Sequence, residues 1–139
     1  MVPPPLPIRQ QTFLAFDFGL RRTGVANGNV LTRTATPQST MVLPVNARAE
    51  TRLLSVAQRI TAWQPDALVV GVPFHPDGTP HENTVRAQKF ARQLRARFGL
   101  EVFEVDERYS TTEALAGGAK DADAASACII LEQFLRSLP

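Results

Sequence analysis

Three acidic residues stand where a carboxylate needs a reason. Asp17 is the one charge in the apolar stretch TFLAFDF, residues 12–18. Glu107 follows a second apolar stretch, EVFEV, with Asp106 between them. Asp123 opens the last amphipathic segment. A carboxylate in an apolar strand is costly unless it is paired, hydrogen-bonded or bound to a metal. Oxygen ligands suit Mg²⁺ or Mn²⁺. Two such ions, about 4 Å apart, activate a water and stabilise the leaving oxygen in phosphodiester hydrolysis. Each acid also has a plainer role. Asp123 fits a helix N-cap, Asp17 a turn cap, and Glu107 a salt bridge to Arg108. Alternation along a strand sends Asp106 and Glu107 to opposite sides, so only one of them joins the set.

The elements that would position these acids read as follows. A buried strand over 12–18 is followed by a tight turn from Gly19 and a returning strand over 23–27. Gly28 and Asn29 suggest a hairpin turn into a third strand over 30–34. Residues 35–46, with Pro37 and Pro44, read as a loop. A helix over 47–62 has Leu53, Leu54, Ala57, Ile60 and Thr61 on one side, and Pro65 marks its end. Trp63 reads as core. ALVVG, residues 67–71, is the continuous apolar run of a strand covered on both faces. After a Pro/Gly-rich loop, a helix over 82–98 turns Ala87, Phe90, Ala91, Leu94 and Phe98 inward and stops at Gly99.

A strand over 101–105 and a short helix over 110–115, capped by Ser110, come next. The last helix, over 123–136, packs Ala124, Ala127, Cys128, Leu131, Phe134 and Leu135. The fold class is α/β, a mixed five-stranded sheet flanked by helices. Ligands of open α/β sheets gather beyond the carboxyl ends of the strands. If the first and last strands are neighbours, Asp17 and Glu107 meet there, with Asp123 reaching them from its helix.

The basic residues are nearly all arginine, with lysine only at Lys89 and Lys120. Arg21 and Arg22, between Gly19 and Gly24, lie beside the proposed site and suit a phosphate. Arg108 either holds Glu107 or touches phosphate. Ser110 and Thr111 either cap a helix or bind phosphate. Arg86, Lys89, Gln93 and Arg97 form one stripe on the second helix, able to follow a nucleic-acid backbone or to be a solvated face. His75 and His81 read as loop residues without a catalytic role. Cys128 reads as core, with no acid–base partner patterned around it.

The 139 residues fit one domain with a sizeable core, over 12–136, after a Pro-rich tail over 1–11. A net charge of +2 is a weak pointer to nucleic acid. One cysteine excludes an internal disulfide and suits a reducing compartment. No 18-residue apolar run or signal-peptide pattern is present, so the expectation is a soluble cytoplasmic protein with no membrane partner.

At these residues the chain resembles the YqgF/RuvX family of pre-16S rRNA nucleases, also described as Holliday-junction-resolvase-like. The resemblance rests on Asp17–Ala26 (DFGLRRTGVA), on Gly71-Val72-Pro73 followed by Asp77-Gly78-Thr79, and on Arg86 and Phe90 in the helix. It rests also on Asp106–Ala114 (DERYSTTEA) and on Asp123–Leu131 (DAASACIIL). It spans roughly residues 12–136 and implies a ribonuclease H-like, metal-dependent nuclease with Asp17, Glu107 and Asp123 as metal ligands. It implies Mg²⁺ or Mn²⁺ as cofactor and pre-16S rRNA or a pre-ribosomal particle as partner. A branched-DNA resolvase and a non-catalytic RNA-binding assembly factor are the alternatives, and the protein is a monomer or homodimer. Two departures stand out. Only LAGGAKDA, residues 115–122, separates the DERYSTTEA motif from Asp123, where the family has a longer, basic segment. The 74–76 loop lacks the family's asparagine.

Overall fold

The computed structural model describes residues 11–107 and 122–138. Five strands form one mixed sheet in the order β3-β2-β1-β4-β5. They are β1 (Thr12–Asp17), β2 (Arg22–Asn29), β3 (Ala35–Val42), β4 (Ala67–Val72) and β5 (Glu101–Asp106). β1 pairs antiparallel with β2 and parallel with β4, and β5 runs parallel to β4. The helices are α1 (Ala49–Trp63), α2 (Glu82–Phe98) and, near the carboxyl end, α3 (Ala122–Ser137). The short helix expected at 110–115 lies outside the described residues.

Alternation along β1 divides the core. Leu14 and Phe16 face α1 and α2, packing with Val25, Leu68 and Val70 against Leu53, Val56, Phe90 and Leu94. Phe13 and Ala15 face α3, packing with Ala26, Ala67 and Val69 against Ala127, Ile130, Leu131 and Phe134. The result is three layers around a sheet whose inner strand β4 is buried throughout. This is why ALVVG reads as a continuous apolar run rather than an alternating one.

The first hairpin differs from the expectation. β2 continues through Gly28 and Asn29, the chain reverses over 30–34, and the supposed loop at 35–46 contains β3. Asn29 Oδ1 accepts from the backbone N–H groups of Leu31 (2.9 Å) and Thr32 (3.0 Å), and Arg33 takes a positive φ of 53°. This local side-chain turn outweighs the strand-forming look of Val30, Leu31 and Thr32. Pro37 is accommodated because β3 is an edge strand.

α1 starts two residues later than expected and turns Leu53 and Val56 inward, with Leu54 left 53% exposed. Trp63 is not core: it lies at the helix end, 44% exposed, before Gln64 caps the helix in a left-handed conformation. α2 matches its expected span and ends at Gly99, φ 65°. In α3, Ile130 joins the expected core positions, and Cys128 packs at the edge of that core.

Candidate active site

Register alone sets up the site. Asp17 ends β1 and lies opposite Gly24 of β2 on one side and Gly71 of β4 on the other. Laterally paired residues share a face, so Asp17, Gly24 and Gly71 all face α3. The two glycines leave space on both sides of the Asp17 carboxylate, and other residues fill it. A Cβ at Gly24 would lie 1.9 Å from the Asp123 carbonyl oxygen. A Cβ at Gly71 would lie 2.8 Å from Glu107 Oε2 and 2.3 Å from Ile130 Cδ1. The missing side chains are what admit α3 and Glu107 to Asp17.

The route to Glu107 differs from the expected one. β1 and β5 are not neighbours, because β4 lies between them. Glu107 reaches Asp17 across Gly71, its own N–H held by the Val72 carbonyl at 3.2 Å. Asp106 is exposed and Glu107 buried, as strand alternation requires.

The Asp17 and Glu107 carboxyls are hydrogen-bonded to each other, so one of them carries a proton. Burial is the main force pushing both above the ordinary carboxylate range. The Asp123 charge raises Asp17 further, and the Asp17 charge raises Glu107. Asp123 is the second residue of α3 rather than a cap before it, and its Oδ2 accepts from Arg22 Nε at 2.7 Å. Among the described residues, no group of three His, Cys, Asp or Glu side chains is arranged to hold a metal ion. Asp17 and Glu107 are together, and Asp123 is adjacent but turned to Arg22.

The folded protein therefore holds protons that the unfolded chain releases above about pH 4. The stability these two groups contribute is complete in acid and is lost as pH rises through their raised values. Glu107→Gln, which needs no proton to donate to Asp17, should escape that loss. In EDTA at pH 8 the variant should melt about 3–6 °C above the wild type, the shift that roughly 1 kcal/mol produces in a domain of this size. At pH 4.5 the two should converge. A gap independent of pH in thermal melts would refute the shared proton.

The remaining predicted residues fall in several places. Arg21 and Arg22 are exposed and, with Val42, line a hollow of about 300 Å³. Arg86, Lys89 and Gln93 line a cleft on the opposite side of the sheet. Arg97 leaves the stripe, binding both Glu50 carboxylate oxygens at 2.7 Å and tying α2 to α1. Arg108, Ser110 and Thr111 lie outside the described residues. His81 is not merely a loop residue: it caps α2, accepting from Asn83 N–H through Nδ1, and its ring meets that of His75 at 4.8 Å. The space left by Gly24 and Gly71 and the burial of Arg52 are what sequence reasoning missed. For the glycines a signal existed, since a glycine inside a strand often marks a bulge or a close backbone approach.

A five-stranded mixed sheet with α3 on one face, α1 and α2 on the other, and acids at the carboxyl ends of β1 and β5 defines a ribonuclease H-like α/β protein. Among solved structures, Thermus thermophilus RuvC in complex with a Holliday junction substrate aligns with a TM-score of 0.57 and 17% identity, over 91% of this chain and 94% of that one. A second Thermus thermophilus RuvC structure aligns at 0.52 and 15%, over 91% and 95%. The chain belongs to the RuvX family, whose model, described as a Holliday junction resolvase, matches residues 11–137. A Polaromonas relative named "Putative pre-16S rRNA nuclease" is 79% identical over 93% of this chain and 91% of its own length. Relatives of the same name from Albidiferax ferrireducens (66%; 92% and 80%) and Burkholderia thailandensis (52%; 94% and 92%) are similar throughout. No helix among the described residues is long and apolar enough to cross a membrane.

Proposed function

We propose that this chain is a metal-dependent nuclease that hydrolyses phosphodiester bonds of RNA, in maturation of the 5′ end of pre-16S rRNA. The observation that carries the reading is the pairing of half-buried Asp17 with buried Glu107 at the carboxyl end of the sheet, with Asp123 beside it. Two carboxyls that share a proton in isolation become a ligand pair when a cation replaces that proton. The donor set is all oxygen, which fits Mg²⁺ or Mn²⁺. Asp17 and Glu107 would hold the ion, with Asp123 joining them on release from Arg22. A bound ion supplies a water of lowered pKa and neutralises charge on the phosphate.

The chain's own residues do the rest. Glu107 is buried while Asp17 is half-buried, so the pair is partly shielded yet still reachable from solvent on the Asp17 side. Arg22 fixes Asp123 at the helix start, where its carboxylate would be at hand to complete the ligand set. Arg21, exposed at the turn, offers a guanidinium to the substrate phosphate. The names of the close relatives support RNA as substrate. The family description supports branched DNA as the second reading.

Incubation with labelled single-stranded RNA and a four-way DNA junction, in Mn²⁺ or EDTA, separates these readings. RNA cleavage that requires metal is the expected result. Symmetric nicking of the junction would move the assignment to a resolvase. Tight RNA binding with no product, in free RNA or in a pre-ribosomal particle, would make it an assembly factor.

A further inference from the structure

On the other face of the sheet from the acids, a cleft of about 250 Å³ opens between the 18–22 turn, the start of α1 and α2. Phe18, Leu20, Arg52, Arg86, Lys89 and Gln93 line it, and no acidic residue among those described does. Arg52 forms the floor. It is 7% exposed, its guanidinium lies 4.7 Å from the centre of the Phe18 ring, and one of its terminal nitrogens donates to the Leu20 carbonyl at 2.8 Å. Among the described residues its buried Nε has no hydrogen-bond partner, and no carboxylate pairs with the side chain. A nearly buried cation with no counter-ion is costly. Lys89 adds a second charge. Arg86 adds a third, only loosely shared with Glu82 at 3.7 Å. Leu20, 55% exposed, makes an apolar rim.

We infer that this cleft is a phosphate subsite, gripping the backbone of a single nucleic-acid strand within a nucleotide or two of the acidic centre. The placement is covalent in origin: Phe18 and Leu20 follow Asp17 by one and three residues, so the strand passes from one face to the other over the turn. The cations take backbone phosphate, and the Leu20 rim takes the sugar or an unstacked base. The exposed apolar Leu20 beside the cations suits an unpaired strand, whose bases are free to lie against an apolar side chain, whereas the bases of a duplex are stacked within it. The inference deepens the nuclease reading, since it names the form of substrate that the site engages.

The test is fluorescence anisotropy with a short labelled oligouridylate in EDTA, where no cleavage occurs, across a salt series. Arg86→Gln/Lys89→Gln should weaken binding roughly fivefold or more at low salt. It should also reduce the slope of log K against log salt by about 0.7 for each phosphate that is no longer neutralised. Arg136→Gln, a charge change at the end of α3, should do neither. Arg52→Lys keeps the charge and removes the fork, so it should weaken binding less than the double variant does. An RNA duplex should compete poorly.

Failure of the wild type to bind the strand at low salt would overturn the inference. So would equal losses in the double variant and Arg136→Gln, or no loss in the double variant, or competition by the duplex as strong as by the single strand. The nuclease reading fails separately: it falls if binding behaves as expected and metal-supplemented protein makes no product.

Discussion

Asp17→Asn is expected to lower metal-dependent cleavage by roughly a thousandfold or more, about 4 kcal/mol of barrier, in a protein that remains folded. The substitution is isosteric, and the new amide can still donate to Glu107. What disappears is the proposed central ligand, the one carboxylate that faces both Glu107 and Asp123. Because one of the crowded negative charges goes with it, the metal-free variant should melt above the wild type at pH 8, whereas added Mn²⁺ should stabilise the wild type alone. Turnover assays and paired melts check both halves. Folded Asp17→Asn protein with undiminished metal-dependent turnover would remove Asp17 from the mechanism.

The second large effect is steric. Gly24→Ala places a methyl carbon 1.9 Å from the Asp123 carbonyl oxygen and 2.4 Å from its carbon. Those atoms are backbone at the start of α3, and no rotamer change moves them away. β2 also shifts its register against β3 between Thr23 and Val25, at this same glycine. The helix start must retreat, which separates Asp123 from Asp17 and loosens the α3 face of the core. A drop in stability of about 2–4 kcal/mol is expected, in the range of overpacked cores and disrupted close packing, and urea denaturation reads it directly. An unchanged midpoint would mean that α3 does not approach β2 this closely.

Gly71→Ala is the instructive contrast. Its methyl meets Ile130 Cδ1 and Glu107 Oε2, both ends of side chains that can turn aside. Stability should fall less than for Gly24→Ala. The Asp17–Glu107 hydrogen bond should break, however, and with it the alkaline loss of stability that Glu107→Gln also removes. The same pH series of melts decides the point.

How much of this was written in the sequence varies with the kind of signal. α2 was fully legible because its apolar stripe, its start near Glu82 and its glycine stop agree. β4 was legible as a strand buried on both faces from composition alone. β3 was not: half of its eight residues are polar and half are exposed, and they contain a proline and lack apolar alternation. An edge strand tolerates all of these. Val30, Leu31 and Thr32 looked like a strand and are a turn, because one asparagine side chain governs the local hydrogen bonds.

The three acids stood out by type and position. Strand order did not, and the path from Glu107 to Asp17 passes over a glycine in a strand expected to lie elsewhere. Arg52 was hidden for a different reason. A charged residue beside Leu53 on an amphipathic helix looks solvated, and its burial depends on the 18–22 turn folding over it.

The acidic centre draws on residues from nearly the whole length of the chain. Arg22 and Asp123 are 101 positions apart, and Glu107 joins Asp17 only after β4 is laid beside β1 and β5 beside β4. A ribosome making this protein therefore releases most of the sheet before the helix that carries the last acid has emerged. Until then the Gly24 side of Asp17 stands open and the α3 face of the sheet is uncovered. An unfinished chain can hold neither the complete acidic set nor a closed core, so a truncated product should be inactive and open to proteolysis. Competence and structural integrity arrive in the same event, the docking of one helix on two glycine-lined strands.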